Sequence, residues 1–186
     1  MPRRVCVFCG SNLGSEPAYA LEAGELAAAL GAANLGLVFG GGGTGLMRVL
    51  AEAFQAHGGR TIGVVPNALI NTENVFERLD ERYVVNSYHE RKMLMYHLSD
   101  AFVALPGGPG TLEEILEHLT WMHRGHVHKP VYLINTGGYW NGLLTLFDTM
   151  RDQGFMADQL TERCVIFNSS SQAVSDFVAR TERNIR

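Results

Sequence analysis

The feature that most constrains this chain is the regular alternation of short apolar runs, rich in β-branched residues, with stretches of helical periodicity. Such alternation is typical of βαβ units, whose helices return the chain to the next parallel strand. Strands are predicted at residues 5–9, 36–39, 61–65, 82–85, 101–105, 131–134 and 164–167. Helices are predicted at residues 17–30, 46–57, 90–98, 112–123, 140–153 and 171–183. The predicted fold is α/β, a doubly wound parallel sheet of about seven strands with helices on both faces, so that every strand is apolar throughout.

Length and charge narrow the class of protein further. The 186 residues suit a single domain, residues 1–186, large enough to bury a core without disulfides or a structural metal. The formal net charge of -4 is opposite to the basic surface that binds nucleic acid, so no nucleic acid polymer is expected as a partner. Residues 26–47 carry no charge, but seven glycines and Asn34 interrupt them, so we expect no membrane span and a cytoplasmic protein.

The cysteines and histidines do not predict a metal or redox site. Cys6 and Cys9 form a C-x-x-C, yet they lie in an apolar strand run whose pleat points them to opposite faces, which favours buried strand positions. The histidines at 123, 126 and 128 have no acidic or cysteine companion nearby in the sequence. We therefore expect neither a metal nor a cofactor.

Two strand-to-helix junctions are rich in glycine, and ligands of doubly wound sheets bind beside such junctions. The first, residues 40–47, satisfies G-x-G-x-x-G. A dinucleotide site would also need an acidic residue where the next strand ends, whereas that strand ends in Pro66 and Asn67, and no G-K-[ST] follows for a Walker loop. Two interpretations stay open, a loop that binds a small anion and glycines that let strand and helix pack closely.

The second junction, residues 105–114, is more specific. Gly107, Gly108 and Gly110 expose backbone amides, Thr111 adds a hydroxyl, and the positive end of the next helix points to the same place, a combination suited to phosphate. The alternative is a T-x-x-E capping box, although capping alone does not require glycines. Glu114 is expected in the first turn, facing the loop. The predicted core stripe of this helix is Leu112, Ile115, Leu116 and Leu119.

Arg91 and Lys92 open the helix before the fifth strand. The helix dipole disfavours cations at this end, so the pair indicates an anionic ligand. A solvated surface pair is the alternative, and closeness to the second glycine loop favours the ligand.

The segment from Pro106 to Glu114 matches P-G-G-x-G-T-x-x-E, the signature of the Lonely Guy family of phosphoribohydrolases. Arg91-Lys92 matches the pair that lies upstream of this signature in the family. The chain resembles the family over nearly its whole length. The resemblance implies a Rossmann-like fold and a cytoplasmic homodimer. It also implies hydrolysis of the N-glycosidic bond of AMP or cytokinin riboside 5'-monophosphates, releasing free base and ribose 5-phosphate. By the same resemblance, Arg91 and Glu114 form the catalytic pair. The residues expected to bind substrate are Lys92, Gly107, Gly108, Pro109, Gly110, Thr111, Glu73 and Thr120.

This assignment agrees with the chemistry. Breaking a ribosyl bond builds positive charge on the sugar, which an ionised Glu114 would stabilise while orienting water, with Arg91 keeping the carboxyl ionised. Whether Arg91 contacts phosphate, base or only Glu114 stays open, as does the preferred base. A module that binds AMP without cleaving it is the non-enzymatic alternative. A pyridoxal enzyme would need a Schiff-base lysine, and the chain has only Lys92 and Lys129.

The predicted dimer involves the helix that carries Glu114. Trp121 projects away from the leucine stripe with Met122 beside it, and exposed aromatic residues often mark interfaces. Partial burial of Trp121 within one chain is the alternative.

Overall fold

The structure, a computed structural model, describes residues 2–70, 74–123, 129–156 and 164–183. The strands are β1 (Arg4–Phe8), β2 (Gly36–Phe39), β3 (Thr61–Pro66), β4 (Glu81–Val85), β5 (Ala101–Ala104), β6 (Val131–Ile134) and β7 (Cys164–Phe167). The helices are α1 (Pro17–Ala32), α2 (Gly45–Ala56), α3 (Tyr88–Leu98), α4 (Pro109–His123), α5 (Asn141–Asp152) and α6 (Ser170–Arg183).

All strands belong to one parallel sheet in the order β4-β3-β2-β1-β5-β6-β7. From β1 the chain winds outward to one edge through β4, and then returns beside β1 with β5 and winds to the other edge. The predicted doubly wound α/β fold is confirmed. The reversal of direction between β1 and β5 leaves a crevice at the carboxyl ends of these two strands, where ligands of such sheets bind.

Apolar side chains cover both faces of the sheet. On one face, α1, α2 and α6 pack over Val5, Val7 and Phe39. On the other, α3, α4 and α5 pack over Cys6 and Phe102. Cys9 belongs to the first face, so the prediction that Cys6 and Cys9 point to opposite sides is confirmed, and both thiols are free and buried.

The edge strands correct one prediction. Arg82, Tyr83 and Val84 of β4 are exposed, and β7 alternates between buried and more exposed positions. The expectation that every strand is covered on both faces is therefore wrong for the edges, because the crossover helices lie over the middle of the sheet. Beyond their first residues, the central strands β1 and β2 are apolar and buried, and β5 is so throughout, as predicted.

Gly58 and Gly154 follow α2 and α5 with φ of 76° each, the left-handed conformation of a helix C-cap. Within the described ranges, no helix is both long and apolar enough to cross a bilayer. The same ranges contain no cluster of three or more metal-ligating side chains. Of the three histidines considered in the sequence, His126 and His128 lie outside these ranges.

Candidate active site

A cavity of about 430 Å³ opens at the carboxyl ends of β1 and β5, where the winding of the sheet reverses. It combines the second glycine loop with the segment after β1, the beginnings of α1, α2, α3 and α4, and the segment after β6. The lining consists of residues 9–14, Tyr19, Leu46, Met47, Arg91, residues 106–111, Glu114 and Tyr139. The structure thus brings together Arg91, Glu114 and the loop from Gly107 to Thr111, as predicted from the sequence.

Helix α4 begins at Pro109, three residues earlier than predicted, and its start leaves amides of the glycine loop free. Pro109 occupies the first helical position, and the Leu112 amide donates the first helical hydrogen bond, of 3.1 Å, to the Gly108 carbonyl. The amides of Gly110 and Thr111 precede that bond and have no acceptor within the helix. Thr111 therefore lies inside the first turn, and the capping-box alternative is wrong because Thr111 does not cap the helix.

Gly107 is required by its surroundings. A Cβ atom built at this position would lie 2.2 Å from Thr111 Oγ1 and 2.9 Å from the Gly10 amide nitrogen. The loop therefore packs directly against both the start of α4 and the segment after β1. This close packing holds the amides at the cavity wall.

Glu114 lies one turn beyond the loop and faces the cavity. Burial raises the pKa of its carboxyl to about 7, although the positive charges of Arg91 and Lys92 lower it. The expectation that Arg91 keeps Glu114 ionised is thus incomplete, because burial outweighs the attraction of the guanidinium. At neutral pH the carboxyl exists in both protonation states, as suits a group that exchanges a proton during a reaction.

Arg91 is held by two main-chain carbonyl groups, one within β3 and one just after β2. Its Nε donates to the Val64 carbonyl and its Nη2 to the Gly40 carbonyl, each at 3.1 Å. A Cβ atom at Gly40 would lie 1.9 Å from Nη2, so only glycine leaves room for this guanidinium. An arginine has five N–H donors, which leaves donors for a ligand in the adjacent cavity.

Lys92 points away from Arg91, toward α4. Its side chain is buried, and its ammonium pairs with Glu113 and, at 2.9 Å, with Glu117. Burial alone would lower the pKa of Lys92, but these two carboxylates raise it above its usual value. Lys92 is not part of the cavity lining, and its role in substrate binding stays a prediction.

The remaining predicted binding residues lie apart from the cavity or outside the described structure. Thr120 is exposed on α4, where its hydroxyl donates to the Leu116 carbonyl at 2.7 Å. Glu73 lies outside the described residues. Both stay predictions.

The first glycine loop, residues 40–47, is occupied by protein contacts. The Gly43 amide donates to the Asn74 carbonyl at 2.6 Å, and the Leu46 amide to the Gly10 carbonyl at 3.0 Å. Thr44 Oγ1 donates to the Ser11 carbonyl at 3.0 Å. Because these donors already have acceptors, the structure favours the close-packing interpretation of this loop over the anion-binding one.

The buried face of α4 differs from the predicted leucine stripe. Leu116 is 36% exposed, whereas His118 is fully buried between Phe8 and Phe102. Burial lowers the pKa of His118 to about 4, so its ring is neutral, and its Nδ1 lies 2.9 Å from the Glu114 carbonyl. Sequence reasoning missed His118, although its spacing from Ile115 and Met122 matches the helical period.

Trp121 is partly buried within one chain, which is the second of the two possibilities given in the sequence analysis. Its ring packs at 5.3 Å from that of His118 and at 6.1 Å from that of Tyr96. Met122 beside it is buried rather than exposed. The contacts of these two side chains therefore do not indicate an interface.

Sequence reasoning gave no role to Tyr139, which lies in the segment after β6. The Tyr139 hydroxyl donates to the Gly107 carbonyl at 2.5 Å, and its ring meets that of Tyr19 edge-on at 5.6 Å. Both tyrosines line the cavity. A contact over 32 residues of sequence could not be read from the local pattern.

The sequence model of a protein family described as "Possible lysine decarboxylase" matches residues 47–177. The chain is 41% identical to the cytokinin riboside 5'-monophosphate phosphoribohydrolase LOG1 of Arabidopsis thaliana over 186 aligned residues, covering 97% of this chain and 86% of that protein. It is 46% identical to LOG7 of the same plant, which bears the same enzyme name, over 83% of this chain and 71% of that protein. It is 42% identical to the probable phosphoribohydrolase LOGL3 of Oryza sativa subsp. japonica, over 94% and 82%.

Solved structures with the same fold include the molybdenum cofactor binding protein from Rippkaea orientalis, with a TM-score of 0.74 and 22% identity, covering 97% of this chain and 98% of that one. The Moco carrier protein from Chlamydomonas reinhardtii has a TM-score of 0.74 and 20% identity, covering 98% and 99%. At this level of identity the likeness concerns the fold alone.

Proposed function

Because this chain belongs to the Lonely Guy family of phosphoribohydrolases, we propose that it hydrolyses the N-glycosidic bond of AMP or of cytokinin riboside 5'-monophosphates, its N6-substituted relatives. The products are the free base and ribose 5-phosphate. The observation that carries the assignment of residues is the position of Glu114, whose pKa burial raises to about 7, in the same cavity as a loop of free amides.

The glycine loop binds the phosphate group of the substrate. Amides at the start of a helix, together with its positive end, attract an anion without any lysine or arginine. Glu114 follows Gly110 by four residues, a rise of about 6 Å along the helix. A ribose whose 5'-phosphate contacts the loop therefore extends toward this carboxyl.

Glu114 acts on the reacting carbon. The bond between N9 of the base and C1' of the ribose breaks, and its electron pair goes to the base, which leaves positive charge on the sugar. The carboxylate stabilises this charge and accepts a proton from the water whose oxygen bonds to C1'. The leaving base takes up a proton, so that the overall reaction adds one water molecule.

Arg91 provides the second charge of the catalytic pair. Its guanidinium is anchored to the carbonyl groups of Val64 and Gly40 beside the cavity. From there its positive charge lowers the pKa of Glu114 and increases the ionised fraction of this carboxyl. The remaining N–H donors are available to the nucleotide.

A pyridoxal-dependent decarboxylase is disfavoured by the surroundings of both lysines. Lys92 is paired with Glu113 and Glu117, and Lys129 donates to the Tyr96 carbonyl at 2.6 Å. Neither lines the cavity. A Schiff-base lysine must instead present its amine to the cofactor.

Cytoplasmic location and a homodimer are part of the proposal, because the family resemblance implies both. Sedimentation tests the dimer directly. A monomer at micromolar concentration would contradict it.

The experiment is incubation with AMP and, separately, with isopentenyladenosine monophosphate at pH 8, with free base and ribose 5-phosphate measured by chromatography. We expect equal amounts of both products from the preferred substrate, and at least an approximately 100-fold slower release by Glu114→Ala. Glu113→Gln, a change at the exposed neighbouring carboxyl, is the matched control and should keep most of the activity. Nucleotide binding without release of base would instead indicate a sensing module.

A further inference from the structure

Three successive carbonyl groups of the second glycine loop are each occupied by a donor of the protein. The Pro106 carbonyl accepts from the Gly10 amide at 3.0 Å, and the Gly108 carbonyl accepts from the Leu112 amide at 3.1 Å. Between them, the Gly107 carbonyl accepts from the Tyr139 hydroxyl at 2.5 Å. These oxygens would repel an anion, and here each one faces a donor of the protein.

The orientation of a carbonyl determines that of the amide in the same peptide unit. The described residues contain no cis peptide bond, so C=O and N–H point in opposite directions. The Tyr139 hydroxyl therefore directs the Gly108 N–H away from itself. Gly108, Gly110 and Thr111 all line the cavity, and neighbouring main-chain N–H groups of this kind bind anions.

The bond from Tyr139 differs in kind from its two neighbours. The other two carbonyls accept from main-chain amides, one in the segment after β1 and one in the first turn of α4. The peptide between Gly107 and Gly108 has glycine on both sides, so no Cβ atom restricts its rotation. A single side-chain hydroxyl thus selects which face of this peptide meets the ligand.

Aromatic contacts restrain the Tyr139 ring, although 41% of this residue is exposed. Its ring packs edge-on against Tyr19, at 5.6 Å, and against Trp140, at 4.9 Å. The segment after β6 is fixed by Asn135, whose Oδ1 accepts from the Trp140 amide at 2.7 Å and whose Nδ2 donates to Asn141 at 2.8 Å. Removal of the hydroxyl alone therefore leaves the ring in place.

We propose that Tyr139 is a positioning residue, which orients the peptide between Gly107 and Gly108 so that the site recognises the 5'-phosphate of its substrate. This inference rests on the proposed function, because it concerns how the same cavity distinguishes nucleoside monophosphates from nucleosides. Tyr139 acts through the loop, and the loop amides contact the phosphate.

The test is Tyr139→Phe, which removes one oxygen atom and keeps the ring contacts. Loss of one hydrogen bond that orders the loop should raise the KM for AMP by roughly three- to tenfold, with a smaller change in kcat. The inhibition constant of ribose 5-phosphate should rise by the same factor, while that of adenosine, which has no phosphate, should stay unchanged. Tyr83→Phe is the control, since Tyr83 is exposed on the edge strand β4, and its kinetics should match those of the wild-type protein.

The outcomes separate this inference from the proposed function. Titration calorimetry with ribose 5-phosphate measures the loop directly, without turnover, so it reports on Tyr139 even if the wild-type protein releases no adenine. An active wild-type protein, together with unchanged ribose 5-phosphate affinity in Tyr139→Phe, would overturn the inference alone. Equal weakening for ribose 5-phosphate and adenosine, with a lower melting temperature, would also overturn it, because that pattern indicates a general structural role.

Discussion

Replacement of Glu114 by glutamine should stabilise the protein, and more strongly at alkaline than at acidic pH. Burial raises the pKa of this carboxyl from 4.5 to about 7. At about 1.4 kcal/mol per pKa unit, keeping it ionised in the folded protein costs about 3 kcal/mol. Glutamine has nearly the same shape and does not titrate, so the variant avoids this cost.

The sign follows from proton binding. Because the pKa of Glu114 is higher in the folded than in the unfolded chain, the folded protein binds the proton more tightly. The contribution of Glu114 to the free energy of unfolding therefore falls as pH rises from about 4.5 to about 7, and is constant above that range. Relative to wild type, Glu114→Gln should thus gain about 2 to 3 kcal/mol between pH 5 and pH 8.

The assay is urea unfolding of both proteins at pH 5 and pH 8, with the free energy of unfolding extrapolated to water. Glu182→Gln, a change at an exposed position of α6, controls for the loss of one negative charge. In parallel, kcat at saturating AMP should rise with pH through about 7 in the wild-type protein, since the carboxylate is the active form. The same difference in stability at both pH values, or a destabilised variant at pH 8, would refute the reasoning.

Two further predictions concern the neighbours of this group. In a thermal unfolding scan, Gly107→Ala should melt at a lower temperature than the wild-type protein, and it should also bind AMP more weakly, because its Cβ would lie 2.2 Å from a threonine side chain. A Cβ at position 110 would have no atom within 4 Å, so Gly110→Ala should unfold at nearly the wild-type temperature in the same scan. Lys92→Met should move the rise of kcat to higher pH, since the charge of Lys92 lowers the pKa of Glu114, and Glu113→Gln should move it to lower pH, since Glu113 raises that pKa. Shifts of equal sign in the two pH profiles would contradict the electrostatic explanation.

The fold could be predicted from the sequence because each element is defined by a local pattern. Within the described residues, apolar runs of β-branched residues and helical periodicity placed each strand and each α-helix within three residues of its observed bounds. The position of the cavity followed as well, because the carboxyl ends of neighbouring parallel strands lie at one edge of the sheet. Arg91 lines the same cavity although the strand before its helix, β4, is separated from β5 by three other strands, so strand order alone does not explain why it meets the second glycine loop.

The features of the site that the sequence did not indicate depend on contacts between distant segments. The pKa of Glu114 is set mainly by burial, which no local pattern reports. The partners of Lys92 are carboxylates on another helix, Glu113 and Glu117, so its charge alone suggested a ligand. Tyr139 reaches the glycine loop only because β6 lies beside β5 in the sheet.

The most direct test of these assignments is a crystal structure of Glu114→Gln with AMP bound. The phosphate oxygens should lie within about 3.2 Å of the amides of Gly108, Gly110 and Thr111. The side chain at position 114 should face C1' of the ribose. A phosphate bound elsewhere, or a ribose turned away from position 114, would contradict the proposed site.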